Sequence, residues 1–427
     1  MEMHIIPEVF YPLLLGLFYL AIYFFKKPRY AIAGFIISKP LIDVFYNYYI
    51  ILDINFLKLY AGLFAILGVV YIIRNHLNIF KSPLSRLWFA FLVINFISTF
   101  LINQDLLLLA RLRIFLSLLN GFVAFILFAE LFKYPEDRKL VLLIFILAGL
   151  APVIFWFSQI LSPNPYISVA GVHDELQRMR GPYASFTNYR FYGLQLLISS
   201  LTLLALISPQ SIKRRLTSFK TLGLSALFIA SILLIYKSYS KSAWIILPLC
   251  LITWFLLRKR TIPLLITISL VLGFFTMNPF SRQAKSLFQK EVDTIVLKNN
   301  QWSEDTLFMG RYRRWKAGMQ DFEVVTTAQK LLGMKKNNHS PENEYLKVLW
   351  SNGIIGLIIY LFLLYQIAYQ LIIRYNKNKD PIYLAGILIF IMYILSNLGY
   401  SSIKSPNMQW FIWGLWGYLL HRNPKTQ

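Results

Sequence analysis

Runs of roughly 20 apolar residues follow one another through most of the chain, the length a helix needs to cross the hydrocarbon core of a bilayer. They fall near 9–25, 30–51, 57–73, 86–102, 107–131, 140–161, 190–207, 219–236, 243–257, 261–278, 346–373, 381–399 and 407–420. The predicted fold class is an all-α polytopic integral membrane protein with about 12–14 transmembrane helices. Two longer polar stretches, 162–189 and 279–345, break the pattern. They divide the chain into scaffold helices over 1–161, a first loop over 162–189, helices over 190–278, a second loop over 279–345 and C-terminal helices over 346–427. A connection as long as the second loop calls for structure of its own. Apolar positions recur at helical spacing over 281–298, and Arg311, Arg314, Trp315 and Gly318 share a helical face over 310–321. A small helical cap is expected there.

Composition agrees with this picture. Hydrophobic residues make up 57% of the chain and the mean hydropathy is +0.56, too apolar for a soluble protein of 427 residues. Trp88, Tyr236 and Tyr345 stand at segment ends, where amphipathic rings favour the membrane–water interface. The first segment has no basic n-region and no small-residue cleavage site, so it reads as a helix rather than a signal peptide. The single cysteine, Cys250, lies within a span, which leaves the loops without disulfides or a cysteine metal site.

The formal net charge of +24 raises nucleic acid as a partner, but the position of the charge argues for a membrane. Lys26-Lys27-Pro28-Arg29, the 74–86 loop, Lys213-Arg214-Arg215, Arg258-Lys259-Arg260 and the 374–379 loop all fall on one side under this topology. The positive-inside rule makes that side the cytoplasm. The N-terminus and both long polar stretches then face outward.

Four outward patches carry candidate chemistry. Arg178-Met-Arg180-Gly181-Pro182, running on to Asn188, offers two fork-shaped donors suited to phosphate oxygens, although juxtamembrane arginines also serve as headgroup contacts. Ser240-Lys241-Ser242-Ala243 is a polar turn with a lysine on the disfavoured side, or an ordinary hairpin turn. Arg311-Tyr-Arg313-Arg314-Trp315 is a basic cluster, or a solvated helix face. His339-Ser-Pro-Glu342-Asn343-Glu344-Tyr345 places a possible base near those cations. Equally, it reads as a helix start with proline and acids in the first turn. Arg111 and Arg113, at the outer start of another helix, suit headgroup contact or a lipid phosphate.

Together, in order, the four patches resemble the O-antigen ligase/O-antigen polymerase family of bacterial envelope glycan enzymes. The resemblance covers about residues 178–357. Arg178 to Asn188 is similar to the family's Arg-x-x-Gly stretch ending in Asn, and Ser240-Lys241-Ser242-Ala243 to its Ser-Arg-Gly-Ala turn. Arg311 to Trp315 is similar to its Arg-x-x-x-Trp element. Glu342-Asn343-Glu344-Tyr345-Leu346 followed by Gly353 and Gly356 resembles its His-Asn-x-Tyr-Leu and Gly-x-x-Gly elements. Lys241 replaces the family's arginine, and Glu342 stands where ligases have histidine, with His339 three residues earlier. The second departure tilts the expectation towards a polymerase.

The resemblance implies a GT-C-like fold and metal-independent, inverting transfer of a glycan from undecaprenyl diphosphate, without cofactor. Glu342, His339 and Arg311 would be catalytic. Arg178, Arg180, Lys241, Arg314, Asn188 and Asn343 would bind the diphosphate and glycan. The expected partners are the lipid-linked oligosaccharide, membrane lipids and a chain-length regulator, with no nucleic acid, in a bacterial cytoplasmic membrane with the site outside. A ligase acting on a lipid or protein acceptor is the nearest rival. A transporter of lipid-linked sugars is the rival of another class, and it would place broken helices or charged pairs near the bilayer midplane.

Overall fold

In the computed structural model, residues 3–4, 7–42, 48–51, 54–102, 107–134, 136–161, 189–206, 219–238, 240–276, 311–334, 342–399 and 406–421 are described. Each of the predicted apolar runs contains a helix. In chain order these are α1 (Pro7–Lys26), α2 (Pro28–Ile42), α3 (Phe56–Arg74), α4 (Pro83–Phe96), α5 (Leu108–Leu131) and α6 (Asp137–Leu161). They continue as α7 (Tyr189–Leu206), α8 (Phe219–Lys237), α9 (Lys241–Leu257) and α10 (Thr261–Thr276). Two shorter, less apolar helices follow, α11 (Arg311–Val324) and α12 (Thr327–Leu332). The last three are α13 (Glu344–Asn378), α14 (Pro381–Ser396) and α15 (Pro406–His421).

The run over 30–51 is shorter as a helix than its hydropathy suggests. Its helix ends at Ile42, and the chain then forms a ribbon of β1 (Met3–His4), β2 (Tyr48–Ile51) and β3 (Ile54–Asn55). β1 pairs parallel with β2, and β2 antiparallel with β3. Tyr and Ile at 48–51 are good strand formers, so hydropathy alone cannot separate them from the helix before.

Four described helices are long and apolar enough to cross a membrane: Phe56–Arg74, Pro83–Ile102, Leu108–Leu131 and Glu344–Asn378. The second continues α4 through a π-helical turn at Ile97–Ile102. On α1, Leu15, Phe18 and Tyr19 are each more than 60% exposed, as are Ile262, Leu265 and Leu270 on α10. Exposed apolar stripes of this kind would aggregate in water and mark a surface suited to a membrane or another apolar partner.

The interior is aromatic. Trp410, Trp413 and Trp416 on α15 are fully buried, with Trp410 stacked on Phe64 at 4.0 Å and Trp413 edge-on to Trp88 at 4.8 Å. α5 and α15 approach closely because glycine lies between them: a Cβ at Gly417 would sit 2.1 Å from the Phe125 carbonyl oxygen. Buried hydroxyls on α7 turn inward on their own helix, as in Ser200 to Leu196 O at 2.7 Å and Thr202 to Ile198 O at 2.8 Å.

Side-chain bonds define two ends of the bundle. At one, Arg29 pairs with Asp137 at 3.2 Å, Arg138 with Asp380 at 2.9 Å, and Arg374 donates to the Leu419 and Leu420 carbonyls at 2.7 and 2.6 Å. Tyr375 bonds Leu257 O at 3.4 Å, which brings the α9–α10 turn with Arg258, Lys259 and Arg260 to the same end. The opposite end holds the starts of α5, α9 and α13, together with α11 and α12.

Candidate functional site

The site is built on a broken helix. α13 runs through Gly353, whose φ of 69° and ψ of −174° are outside helical values. In an unbroken helix the carbonyls of Trp350 and Ser351 would accept from residues 354 and 355. Here Met334 N donates to Trp350 O at 2.8 Å, and the Ser98 hydroxyl donates to Ser351 O. The break therefore leaves these two carbonyls satisfied, as an apolar environment demands. The space a side chain would take at Gly353 belongs to the Leu331 carbonyl, 2.2 Å from where a Cβ would lie.

That break docks α11 and α12. Gly333, at φ +111°, ends α12, and Thr326 and Gln329 close a capping box at its start. Phe322, Met334 and Trp350 form a small separate core, and Gly318 admits the Trp350 ring against α11. The helix predicted over 310–321 is thus observed as Arg311–Val324, followed by the shorter α12. The other predicted patch, 281–298, lies outside the described residues.

α11 presents its first turn to the start of α13. Glu342 accepts from Arg311 Nε at 2.6 Å through Oε2 and from Arg314 Nη2 at 3.4 Å through Oε1. Arg311 is 15% exposed, against 33% for Glu342 and 41% for Arg314, so the cluster sits at a partly open surface. Both carboxylate oxygens are engaged, which makes Glu342 an orienting group for the guanidinium pair in this arrangement. Charge-assisted bonds of this type fix geometry as well as adding energy.

Asn343 is the N-cap of α13, with Oδ1 accepting from Leu346 N at 3.1 Å. Its Nδ2 donates to Leu398 O at 3.1 Å, so its amide ties α13 to the turn after α14. The helix starts at Glu344 rather than around Pro341, because Asn343 supplies the cap. Arg311 also approaches that turn, with Nη1 3.2 Å from the position of a Cβ on Gly399.

Glu344 is the residue that sequence reasoning passed over. It is fully buried, and its Oε1 accepts from Tyr360, from Tyr393 at 2.7 Å and from Asn397 Nδ2 at 3.0 Å. Tyr360 and Tyr393 also contact each other at 2.9 Å. Its backbone N–H donates to Asn397 O at 2.9 Å. The carboxylate thus locks the start of α13, two residues after Glu342, to α14. The available signal was an acid entering an apolar run, but its partners lie 16 to 53 positions away.

Lys241 is the first residue of α9, and its turn is packed against α7: a Cβ on Gly193 would lie 3.0 Å from Ser240 Cβ and 3.3 Å from Ala243 Cβ. α7 begins at Tyr189, immediately after Asn188. Because Tyr375 holds the C-terminal ends of α9 and α13 together, Lys241 starts α9 at the same end of the bundle as Glu342. Arg111 also belongs there, donating to Phe100 O at 3.4 Å. Arg178, Arg180, Asn188 and His339 lie outside the described residues. Among the described residues, no three His, Cys, Asp or Glu side chains are grouped to hold a metal ion.

No protein-family model matches the chain, and no curated protein matches its sequence.

Proposed function

We propose that the protein polymerises undecaprenyl-diphosphate-linked oligosaccharide repeat units into a surface polysaccharide. It would span a bacterial cytoplasmic membrane about thirteen times, counting each apolar run as a span. The basic end would face the cytoplasm, and the Arg311–Glu342–Arg314 cluster would face outward. The observation that carries this reading is the meeting of two guanidinium groups and a carboxylate at the end of the bundle where the Lys241 turn and the start of α7 also lie.

In the proposed reaction a sugar hydroxyl of one lipid-linked unit attacks the anomeric carbon of another. A C–O bond forms, the bond from that carbon to the diphosphate breaks, and the hydroxyl proton passes to a base. Undecaprenyl diphosphate leaves with the bonding electron pair. Arg311, with Arg178 and Arg180, would stabilise the charge that develops on the diphosphate, which fixed cationic donors can do without a metal. Arg314, Lys241, Asn188 and Asn343 would line the diphosphate and glycan path. Glu342 or His339 would stand at the acceptor hydroxyl, Glu342 being released from Arg311 as the diphosphate takes over that guanidinium.

Transport of lipid-linked sugars has one feature in its favour, the break in α13. In transporters such breaks line a cavity. At Gly353 the gap is filled by the Leu331 backbone, which supports the enzyme reading. The test is incubation of purified protein with a single lipid-linked repeat unit. A ladder of longer lipid-linked glycans supports polymerisation. Transfer only to an added lipid or protein acceptor would move the reading to a ligase, and movement of unchanged substrate across a vesicle would move it to transport.

A further inference from the structure

The opposite, basic end of the bundle holds a cavity of about 430 Å³ that the proposed reaction does not use. Lys27 lies between α1 and α2, Arg29 on the first turn of α2, Tyr71 at the end of α3, Glu130 at the end of α5, and Lys133 and Tyr134 between α5 and α6. Three cations and one carboxylate thus line it. Two of the cations are paired with carboxylates. Arg29 is bonded to the buried Asp137, which also accepts from Tyr134 N at 2.9 Å, and lies 5.4 Å from the Tyr134 ring centroid. Lys133 is paired with Glu130. The Arg29 and Lys133 side chains nevertheless remain 39% and 49% exposed, so both are accessible while paired.

The helix ends that contribute to this cavity also carry exposed apolar residues. Ile22 and Phe25 on the last turns of α1, and Ile73 on the last turn of α3, are exposed on the two helices whose ends carry Lys27 and Tyr71, with Arg74 5.9 Å from the Phe25 ring. A phosphate among the cations with hydrocarbon lying along α1 and α3 is the shape of a phospholipid, and basic pockets between helices suit anionic headgroups. We infer that this cavity is a binding site for the phosphate of an anionic phospholipid, separate from the Arg311–Glu342 cluster and independent of the polymerase reading. Recognition comes from Lys27, Arg29 and Lys133 with the hydroxyls of Tyr71 and Tyr134, and the apolar flank selects a lipid over a free anion.

Native mass spectrometry of the full chain, released from micelles doped with phosphatidylglycerol or phosphatidylcholine, tests this. Phosphatidylglycerol should be retained preferentially, and the Lys27→Gln/Lys133→Gln double variant should weaken retention about 10- to 30-fold. A Lys259→Gln/Arg260→Gln control, which removes charge from another turn of the same end, should retain the lipid like the unaltered chain. Lys27→Glu, at an exposed residue between two helices, is the second variant if the double variant does not fold, and should weaken retention in the same direction. Equal retention of both lipids, or undiminished phosphatidylglycerol on a folded variant, overturns the proposal. Displacement of phosphatidylglycerol by millimolar inorganic phosphate would also overturn it, because the site would then be one for a free anion.

Discussion

Two carboxylates separated by one residue do different work. Glu342 lies at the surface with both oxygens on arginines, whereas Glu344 is buried with three donors on one oxygen. Replacing Glu344 by Ala removes the buried acceptor shared by two tyrosine hydroxyls and an amide, and should destabilise the fold by roughly 3–5 kcal/mol. Glu344→Gln, which keeps a carbonyl acceptor, should cost less. Thermal unfolding in detergent measures both, and equal melting of Glu344→Ala and the unaltered chain would contradict this assignment. At the surface, Glu342→Gln should leave the melting point nearly unchanged, because partly exposed ion pairs contribute about 0–1 kcal/mol. It should lower the rate of glycan extension, since the amide holds Arg311 and Arg314 less firmly. The sequence shows both acids, but it cannot separate them. Which carboxylate is buried depends on Tyr360, Tyr393 and Asn397 arriving from two other helical turns.

At the scale of elements, the break in α13 and the α11–α12 cap form one unit. Gly353→Ala would force a side chain into left-handed backbone and onto the Leu331 carbonyl. Strained backbone of this kind costs about 1–3 kcal/mol before the clash is counted. The variant should release the cap from α13 while leaving the rest of the bundle folded. Limited proteolysis would then show faster cleavage near 325–334, and unchanged cleavage would refute the coupling. The apolar helices were legible because bilayer thickness fixes their length and hydropathy marks it. The ribbon after Ile42 was not, since strand and helix segments there are both apolar. Nor was the break, because the Gly353-x-x-Gly356 spacing does not reveal that the 331–334 segment fills the gap and takes up the freed Trp350 carbonyl. Of the candidate site, the helical face shared by Arg311 and Arg314 was readable from i, i+3 spacing, while their pairing with Glu342 depends on how the cap docks.

For the whole molecule, the asymmetry between a basic end and an end bearing the Arg311–Glu342 cluster makes a topological prediction. Cys250 is the only cysteine and is buried, so a Cys250→Ala background gives a chain without thiols. Single cysteines placed at Lys259 and Lys377 should react with a membrane-impermeant thiol reagent only after the cells are opened. One placed at Glu323 should react in intact cells. Labelling of all three from the same side would invalidate the orientation and with it the outward site.

The central claim is that the Arg311 cluster drives departure of a lipid diphosphate. The most direct measurement is single-turnover release of undecaprenyl diphosphate from a defined lipid-linked repeat unit by purified protein. The unaltered chain should release it together with an extended glycan. Arg311→Ala, verified as folded, should do so about 10²- to 10³-fold more slowly, the usual effect of losing one charge-stabilising donor. Folded unaltered protein that releases no diphosphate, or Arg311→Ala protein that releases it at the same rate, would contradict the account.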